Sequence, residues 1–330
     1  MDIASARTLK HQLGQYVTDL LTDRIQATST AAPLGVALGL APRGDGQFDV
    51  AVRYRLGTPT ARMIARRLVA EAGTGLDVRR TGRIMAPERA GPGAPVPTAL
   101  AAGETGRVRP LRPGVSVAHH SVTAGTLGGF VTTTDGEPGV HALSNYHVLV
   151  GSPSVRVGEA VLQPAPADGG QMPEDEVGAL SAFVPLGAGG PSVVDAALAR
   201  LVDADVDPTY PVGRLTGTAA ALGGEAVEKI GRTTGVTRGR VSAIELDGIV
   251  VGYGAELGEL TFDDQIEVES TGSGPFSSGG DSGSVVYRLQ DGRAIGLLFA
   301  GSETGGENGS GLTYLNPIDE VLSALGATLV

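Results

Sequence analysis

A serine set between small residues, in Gly280-Asp281-Ser282-Gly283-Ser284, has the local sequence of a tight turn that exposes a hydroxyl as a nucleophile. Such a hydroxyl is weak at neutral pH and acts only when an imidazole within hydrogen-bond reach takes its proton. His147, at the end of the apolar run Ala142-Leu143-Ser144-Asn145-Tyr146-His147-Val148-Leu149, is the candidate base. A carboxylate must then fix the ring tautomer and stabilise the imidazolium. Asp195, in Val193-Val194-Asp195-Ala196-Ala197-Leu198, sits among apolar neighbours that would hold it still. The order His, Asp, Ser is one in which such constellations occur. Gly280 lets the backbone approach a bound carbonyl, so that its N–H and that of Ser282 face a developing oxyanion, where the loss of one donor costs roughly 3 kcal/mol.

Around these residues lie longer blocks, Ser192 to Ala199 and Lys229-Ile230-Gly231-Arg232-Thr233-Thr234-Gly235 followed by Gly239-Arg240-Val241. The His, Asp and Ser blocks, at separations of 48 and 87 residues, resemble the catalytic blocks of the chymotrypsin/trypsin-like serine peptidases. The Lys229 block resembles the opening strands of the second barrel in bacterial intracellular members of that family. The resemblance covers about residues 110 to 330 and implies a serine endopeptidase that uses no cofactor and no metal. It implies His147 as general base, Asp195 as its orienter, Ser282 as nucleophile and the amides of Gly280 and Ser282 as oxyanion hole.

The chain departs from that family in several places. It has no cysteine, so disulfide stapling is excluded. Phe299-Ala300-Gly301 stands where a serine, tryptophan and glycine often line the specificity pocket, so Asp195 needs a hydroxyl donor from elsewhere. Phe276, six residues before the nucleophile, is the expected pocket floor. An apolar floor points to a small or apolar residue before the scissile bond, with Glu303 and Glu307 as nearby sources of charge. Relatives often pair the aspartate before the serine with a freed N-terminus; here Asp281 is expected to find a partner inside the chain, with no proteolytic activation.

The elements that must position these groups are mainly β. Gly 51, Pro 20 and 18% charged residues in 330 suit a turn-rich β protein. From Val115, β-prone runs at 125–134, 140–143, 161–164, 176–184 and 194–201 predict one six-stranded antiparallel barrel. Runs at 227–230, 239–244, 248–251, 265–270, 284–287 and 294–299 predict a second, and Asn316-Pro317 opens a C-terminal helix to about Leu325. The catalytic residues are expected in the cleft between the two barrels.

Residues 1–86 read as a small α/β domain. Leu9, Leu13, Val17, Leu21 and Ile25 form one helical stripe. Strands at 33–40 and 48–56 flank the turn Arg43-Gly44-Asp45-Gly46-Gln47. Thr58 and Pro59 start a helix to about Ala72, and a third strand follows over 76–85. Residues 87–114 carry Pro87, Pro92, Pro95, Pro97, Pro110 and Pro113 and read as a linker, leaving 115–330 as the peptidase-like domain.

A net charge of −11 argues against nucleic acid as the main partner, and the arginines of the first 90 residues are read as solvated surface. No apolar run reaches the ~20 residues of a spanning helix, which argues against a membrane partner. Residues 1–27 carry Asp2, Arg7, Lys10, Asp19, Asp23 and Arg24 with no secretory pattern, so the chain reads as cytoplasmic. The partner is then a protein or peptide substrate, with the N-terminal domain as the place for a regulatory partner.

His119-His120 looks like a metal pair, but adjacent strand residues point to opposite faces, which argues against both binding one ion. His11 and His141 suggest no zinc site either. The other class of function the sequence allows is a latent or inactive peptidase-fold module that binds protein without cutting it.

Overall fold

The computed structural model describes residues 1–25, 35–86, 101–134, 138–187 and 189–330, with side chains of 21–25 left aside. Helix α1 (Ile3–Ile25) is followed by the hairpin β1 (Val36–Gly44) and β2 (Gln47–Arg55), helix α2 (Pro59–Ala72) and β3 (Leu76–Thr81). Left-handed Gly44, Asp45 and Gly46 make the hairpin turn, pairing Gly44 with Gln47. Pro59 opens α2 because its missing N–H would be unsatisfied there anyway, and Gly73 at φ 67° ends it. Leu13 and Val17 of α1 pack with Ile64, Ala65 and Leu68 of α2 on Val36, Leu38, Val50 and Val52. Each such buried aliphatic side chain contributes about 1.5–3 kcal/mol.

The expected third strand splits. After β3, which runs parallel to β2, the chain turns through Gly82 and adds a two-residue strand, β4 (Ile84–Met85), elsewhere. Gly82 allows this because a Cβ there would lie 2.7 Å from that of Glu303.

The next unit is a curled antiparallel sheet of β5 (Ser116–His119), β6 (Gly125–Thr126), β7 (Gly129–Thr133), β8 (His141–Ser144), β9 (Ala160–Leu162), β10 (Glu176–Phe183) and β11 (Ala197–Leu201). Its order is β7-β8-β11-β10-β9-β5-β6, and β6 runs on into β7 across Leu127 and Gly128. A one-turn helix, α3 (Tyr146–Leu149), leaves β8. Val117, Leu127, Phe130, Val148, Val161 and Leu180 fill the interior.

The third unit holds β12 (Ala226–Gly231), β13 (Gly235–Asp247), the hairpin β14 (Ile249–Gly252) and β15 (Glu259–Phe262) with the turn α4 (Gly254–Leu257), then β16 (Gln265–Ser270), β17 (Val285–Arg288), β18 (Ala294–Ser302) and β19 (Leu312–Pro317). Six of these close a ring, β12-β13-β16-β19-β18-β17, each paired antiparallel with the next and the last with the first. Helix α5 (Ile318–Ala324) follows, and β20 (Ala327–Leu329) returns to pair with β7 of the preceding sheet, a strand that sequence patterning did not signal.

The first unit shares a sheet with this ring. β1 pairs with β13, Leu38 opposite Asp247 and Leu40 opposite Ile244. Arg53 and Glu267 form a buried bidentate ion pair at 2.8–3.0 Å, with Asp77 2.9 Å from the same guanidinium. The ring side is completed by Ser242, whose hydroxyl donates to Glu267 Oε1 at 2.7 Å. Of the proline-rich stretch read as a linker, 87–100 lie outside the described residues. Residues 101–114 are pinned: the Ala102 amide donates to the Thr233 carbonyl at 2.7 Å, and buried Leu111 accepts from Asp207 N at 2.8 Å.

Candidate active site

His147 is carried by α3, directly after β8. Its Nδ1 lies 2.6 Å from Asp195 Oδ2, and its backbone amide lies 3.3 Å from Asp195 Oδ1. With Nδ1–H donating to the carboxylate, Nε2 holds the lone pair that a general base needs. Nε2 is buried and has no hydrogen-bond partner among the described residues.

Asp195 precedes β11 and is wholly buried. Its backbone is fixed at both ends: its amide donates to Asn316 Oδ1 at 2.9 Å, and its carbonyl accepts from Asn145 Nδ2 at 2.7 Å. Asn316 is tied in turn to Gln265 Oε1 at 2.8 Å, so the ring holds the aspartate in register. The hydroxyl donor that Phe299 lacks is Tyr253, whose OH donates to Asp195 Oδ2 at 2.7 Å. Burial, and then the Asp195 charge, push the Tyr253 phenol well above its ordinary range, so it stays a donor. Its ring stacks on Phe262, with centroids 5.9 Å apart, and meets His147 edge-on at 6.0 Å.

Tyr253→Phe is expected to cut turnover on a peptide roughly 10- to 100-fold, because a hydrogen bond to a charged group contributes about 1.5–3 kcal/mol. KM should be unchanged. A kcat equal to that of the parent would show that Tyr253 does not position Asp195.

Ser282 lies in the loop before β17 and is 2% exposed. Two tight turns shape the loop: Asp281 N donates to Ser278 O at 3.0 Å, and Ser284 N donates to Asp281 O at 3.0 Å. Gly280 and Gly283 take φ of 96° and 97°. A Cβ on Gly283 would fall 2.1 Å from Ser144 Oγ, so only glycine fits beside β8. Thr126 joins the loop to the first sheet, its amide donating to Ser282 O at 2.8 Å and its hydroxyl to Gly280 O at 2.8 Å. Its own carbonyl accepts from Ser144 Oγ, three residues before His147. The amides of Gly280 and Ser282 donate to no protein group among the described residues.

The structure thus joins His147 to Asp195 and leaves two loop amides available, but it makes no hydrogen bond between Ser282 and His147 Nε2. Catalytic hydrogen bonds of this kind are often long in a ligand-free site and tighten on substrate.

Asp281 is partnered inside the chain. Its carboxylate accepts from the amides of Thr233 at 2.9 Å, Thr234 at 3.1 Å and Ser278 at 2.9 Å, and from Thr234 Oγ1 at 2.7 Å. Lys229 Nζ sits 3.3 Å away, with both side chains fully buried. Alongside, Arg232 pairs with buried Asp168, which also takes the Ser116 hydroxyl at 2.6 Å. A Cβ on Gly280 would lie 3.3 Å from Arg232 Nη1, so that guanidinium backs the turn. Sequence reasoning gave Lys229, Arg232, Asp168, Thr126 and Tyr253 no role. The two cations inside the apolar opening of the ring were the available signal.

The nominated pocket residues lie along β18 and before the loop. Phe276 packs in the ring core with Val241, Val268 and Leu298, and Phe299 meets Phe262 at a tilt of 44°, with centroids 4.8 Å apart. Ala300 is buried, and Gly301 is half-buried with its backbone paired to Met85. β4 therefore lies along the β18 edge, while the Ala86 amide donates to Gly252 O at 3.1 Å, next to Tyr253. Neither acid suggested as a charge source is unengaged: Glu303 Oε2 accepts from Arg83 N at 3.0 Å, and Glu307 pairs with Arg240 at 3.0 Å.

The described residues thus form a closed six-stranded antiparallel ring, a curled antiparallel sheet before it and helix α5 after it, a mainly β architecture. No protein-family model matches the chain, and no curated protein matches it. Among solved structures it is similar to protease A of Thermobifida fusca, with 22% identity over 67% of this chain and 98% of that one and a TM-score of 0.45. It is also similar to a Nocardiopsis protease, with 18% identity, 66% and 98% coverage and a TM-score of 0.47. A serine protease described as glutamic acid specific is 21% identical, with 67% and 100% coverage and a TM-score of 0.45. No helix among the described residues is long and apolar enough to cross a membrane.

Proposed function

We propose that this chain is a serine endopeptidase acting on protein or peptide substrates through His147, Asp195 and Ser282. The observation that carries this reading is the buried His147–Asp195 pair, 2.6 Å apart, whose Nε2 has no other partner among the described residues. In the proposed cycle Ser282 Oγ bonds to the scissile carbonyl carbon as His147 Nε2 takes the hydroxyl proton. The carbonyl oxygen becomes an oxyanion facing the amides of Gly280 and Ser282. As the C–N bond breaks, the imidazolium returns its proton to the leaving amine, and an acyl-enzyme remains on Ser282. Water then gives a proton to His147 Nε2 and bonds to the acyl carbon; as the C–O bond to Ser282 breaks, the imidazolium returns that proton to Ser282 Oγ and the acid leaves. Asp195 stabilises the imidazolium and is never protonated.

The apolar floor expected from the sequence and the engagement of Glu303 and Glu307 favour a small or apolar residue before the scissile bond; a dominant Arg or Lys preference in a peptide library would overturn this part. The cysteine-free composition favours a reducing compartment such as the cytoplasm. Regulatory cleavage of particular partners, chosen through the N-terminal unit, completes the proposal.

A second reading, a latent binding module, is favoured by β4 along the β18 edge and by the missing bond between Ser282 and His147. Treatment of the purified chain with a fluorophosphonate separates the two. A single adduct mapped by mass spectrometry to Ser282 supports the peptidase, and an unlabelled chain supports the latent module.

A further inference from the structure

Adjacent residues on a regular strand face opposite ways, but β5 ends at His119, and His120 enters a turn closed by Val122 N donating to His119 O at 2.9 Å. The two imidazoles therefore swing to one side, with ring centroids 4.3 Å apart. The expectation that these two side chains point to opposite faces is corrected by that turn. Pairing of His119 with Val161, and of His120 N with Ala160 O at 3.1 Å, brings Glu159 opposite them.

Both Nε2 atoms address a single carboxylate oxygen, Glu159 Oε2, at 3.3 Å from His119 and 3.6 Å from His120. These separations exceed the usual 2.7–3.2 Å of an N–H···O bond. The first equals, and the second is a few tenths of an ångström above, the spacing of about 3.3–3.4 Å between neighbouring ligands of a tetrahedral ion with arms of about 2.0–2.1 Å. Two of the three ligands, His119 and Glu159, also have the outer support that metal ligands carry. His119 Nδ1 lies 2.8 Å from Ser121 Oγ, which fixes the ring, and Glu159 Oε1 accepts from Arg156 N at 2.6 Å, which leaves Oε2 for an ion. The Arg156 amide also holds the Glu159 carboxyl below its ordinary range, so it is a carboxylate at neutral pH. His119 is buried, whereas His120 and Glu159 are about one third exposed, so the site is walled on one side and open on the other.

We propose that His119, His120 and Glu159 form a binding site for a divalent transition ion of the zinc type, with water completing its coordination. Two imidazoles and one carboxylate suit zinc or cobalt and not the all-oxygen demands of calcium or magnesium. The site lies outside the His147 constellation and stands whether or not the chain is a peptidase. The turn that forms it runs into Val122, which packs beneath Gly151 just after α3, so the ion would brace the segment that carries His147.

The test is titration of the untagged, full-length protein with Co(II), followed by its visible absorption and by calorimetry with Zn(II), for the parent, His120→Ala and Glu159→Gln. One equivalent of cobalt giving tetrahedral bands, with affinity weakened roughly 100-fold or more in each variant, is the expected result. Absence of stoichiometric binding by the parent at micromolar metal overturns the proposal. So does binding unchanged in both variants, whose substituted side chains are exposed enough for the fold to tolerate them.

Discussion

Ser282→Ala is expected to lower peptide hydrolysis about a million-fold, and His147→Ala by a similar factor, because an unassisted water attack is all that remains near the intact loop amides. The double variant should be no worse than either single one, since the residues act as one unit and each loss already disables the step. Asp195→Asn should cost roughly 10⁴-fold, because an amide at that position favours the wrong imidazole tautomer while leaving the packing intact. Single-turnover kinetics on one fluorogenic peptide would read all four variants. Losses that add instead of saturating, or a Ser282→Ala variant with more than a few per cent of parental activity, would remove Ser282 from the nucleophile role.

Lys229→Met should destabilise the chain by about 3–5 kcal/mol, the usual consequence of taking one partner from a buried ion pair. At about 2–4 °C per kcal/mol, the melting temperature should fall on the order of 10 °C. The cause is specific. Burial pulls the Lys229 amine below its ordinary range and the Asp281 charge opposes that, so each group is tolerable inside the ring only because the other is there. Without the cation, Asp281 keeps its amide donors from Thr233, Thr234 and Ser278 but loses its counter-charge, and the Gly280–Ser282 turn should loosen. Adding Asp281→Asn to Lys229→Met should recover part of the loss, since a neutral amide does not need the cation. A melting temperature within about 2 °C of the parent's would mean that the amide donors alone hold the carboxylate.

Much of this architecture is legible in the sequence because it follows local rules. β-prone runs placed most strands of both β units to within a few residues but gave no sign of β5, β15 or the ring strand β19, while Pro59 and Gly73 bounded α2 and Gly44 to Gly46 marked the hairpin turn. The pairing of His147 with Asp195 was also readable from residue types and order. What escaped depends on contacts made far along the chain. Tyr253 sits 58 residues from Asp195 on a hairpin whose sequence gives no reason to point at it. β20 is too short to show a pattern, and it exists because α5 aims it at β7. β4 was read as the end of β3 because apolar residues continue, while Gly82 and its approach to Glu303 redirect the chain. His119 and His120 were assigned opposite faces because a strand end and a strand interior look alike in sequence.

The sharing of one sheet by β1 and β13 has a consequence for how the molecule comes into being. The first unit has a core of its own and can collapse as it is synthesised, but Leu38 and Leu40 wait for partners some two hundred residues later, at Asp247 and Ile244. Arg53 likewise leaves the ribosome long before Glu267. Until then its guanidinium has only Asp77 and water, and one flank of the β1–β2 hairpin stands open to pair with any other extended chain. The order of synthesis therefore makes the first unit the last to be completed. Closure of the ring is what covers that flank.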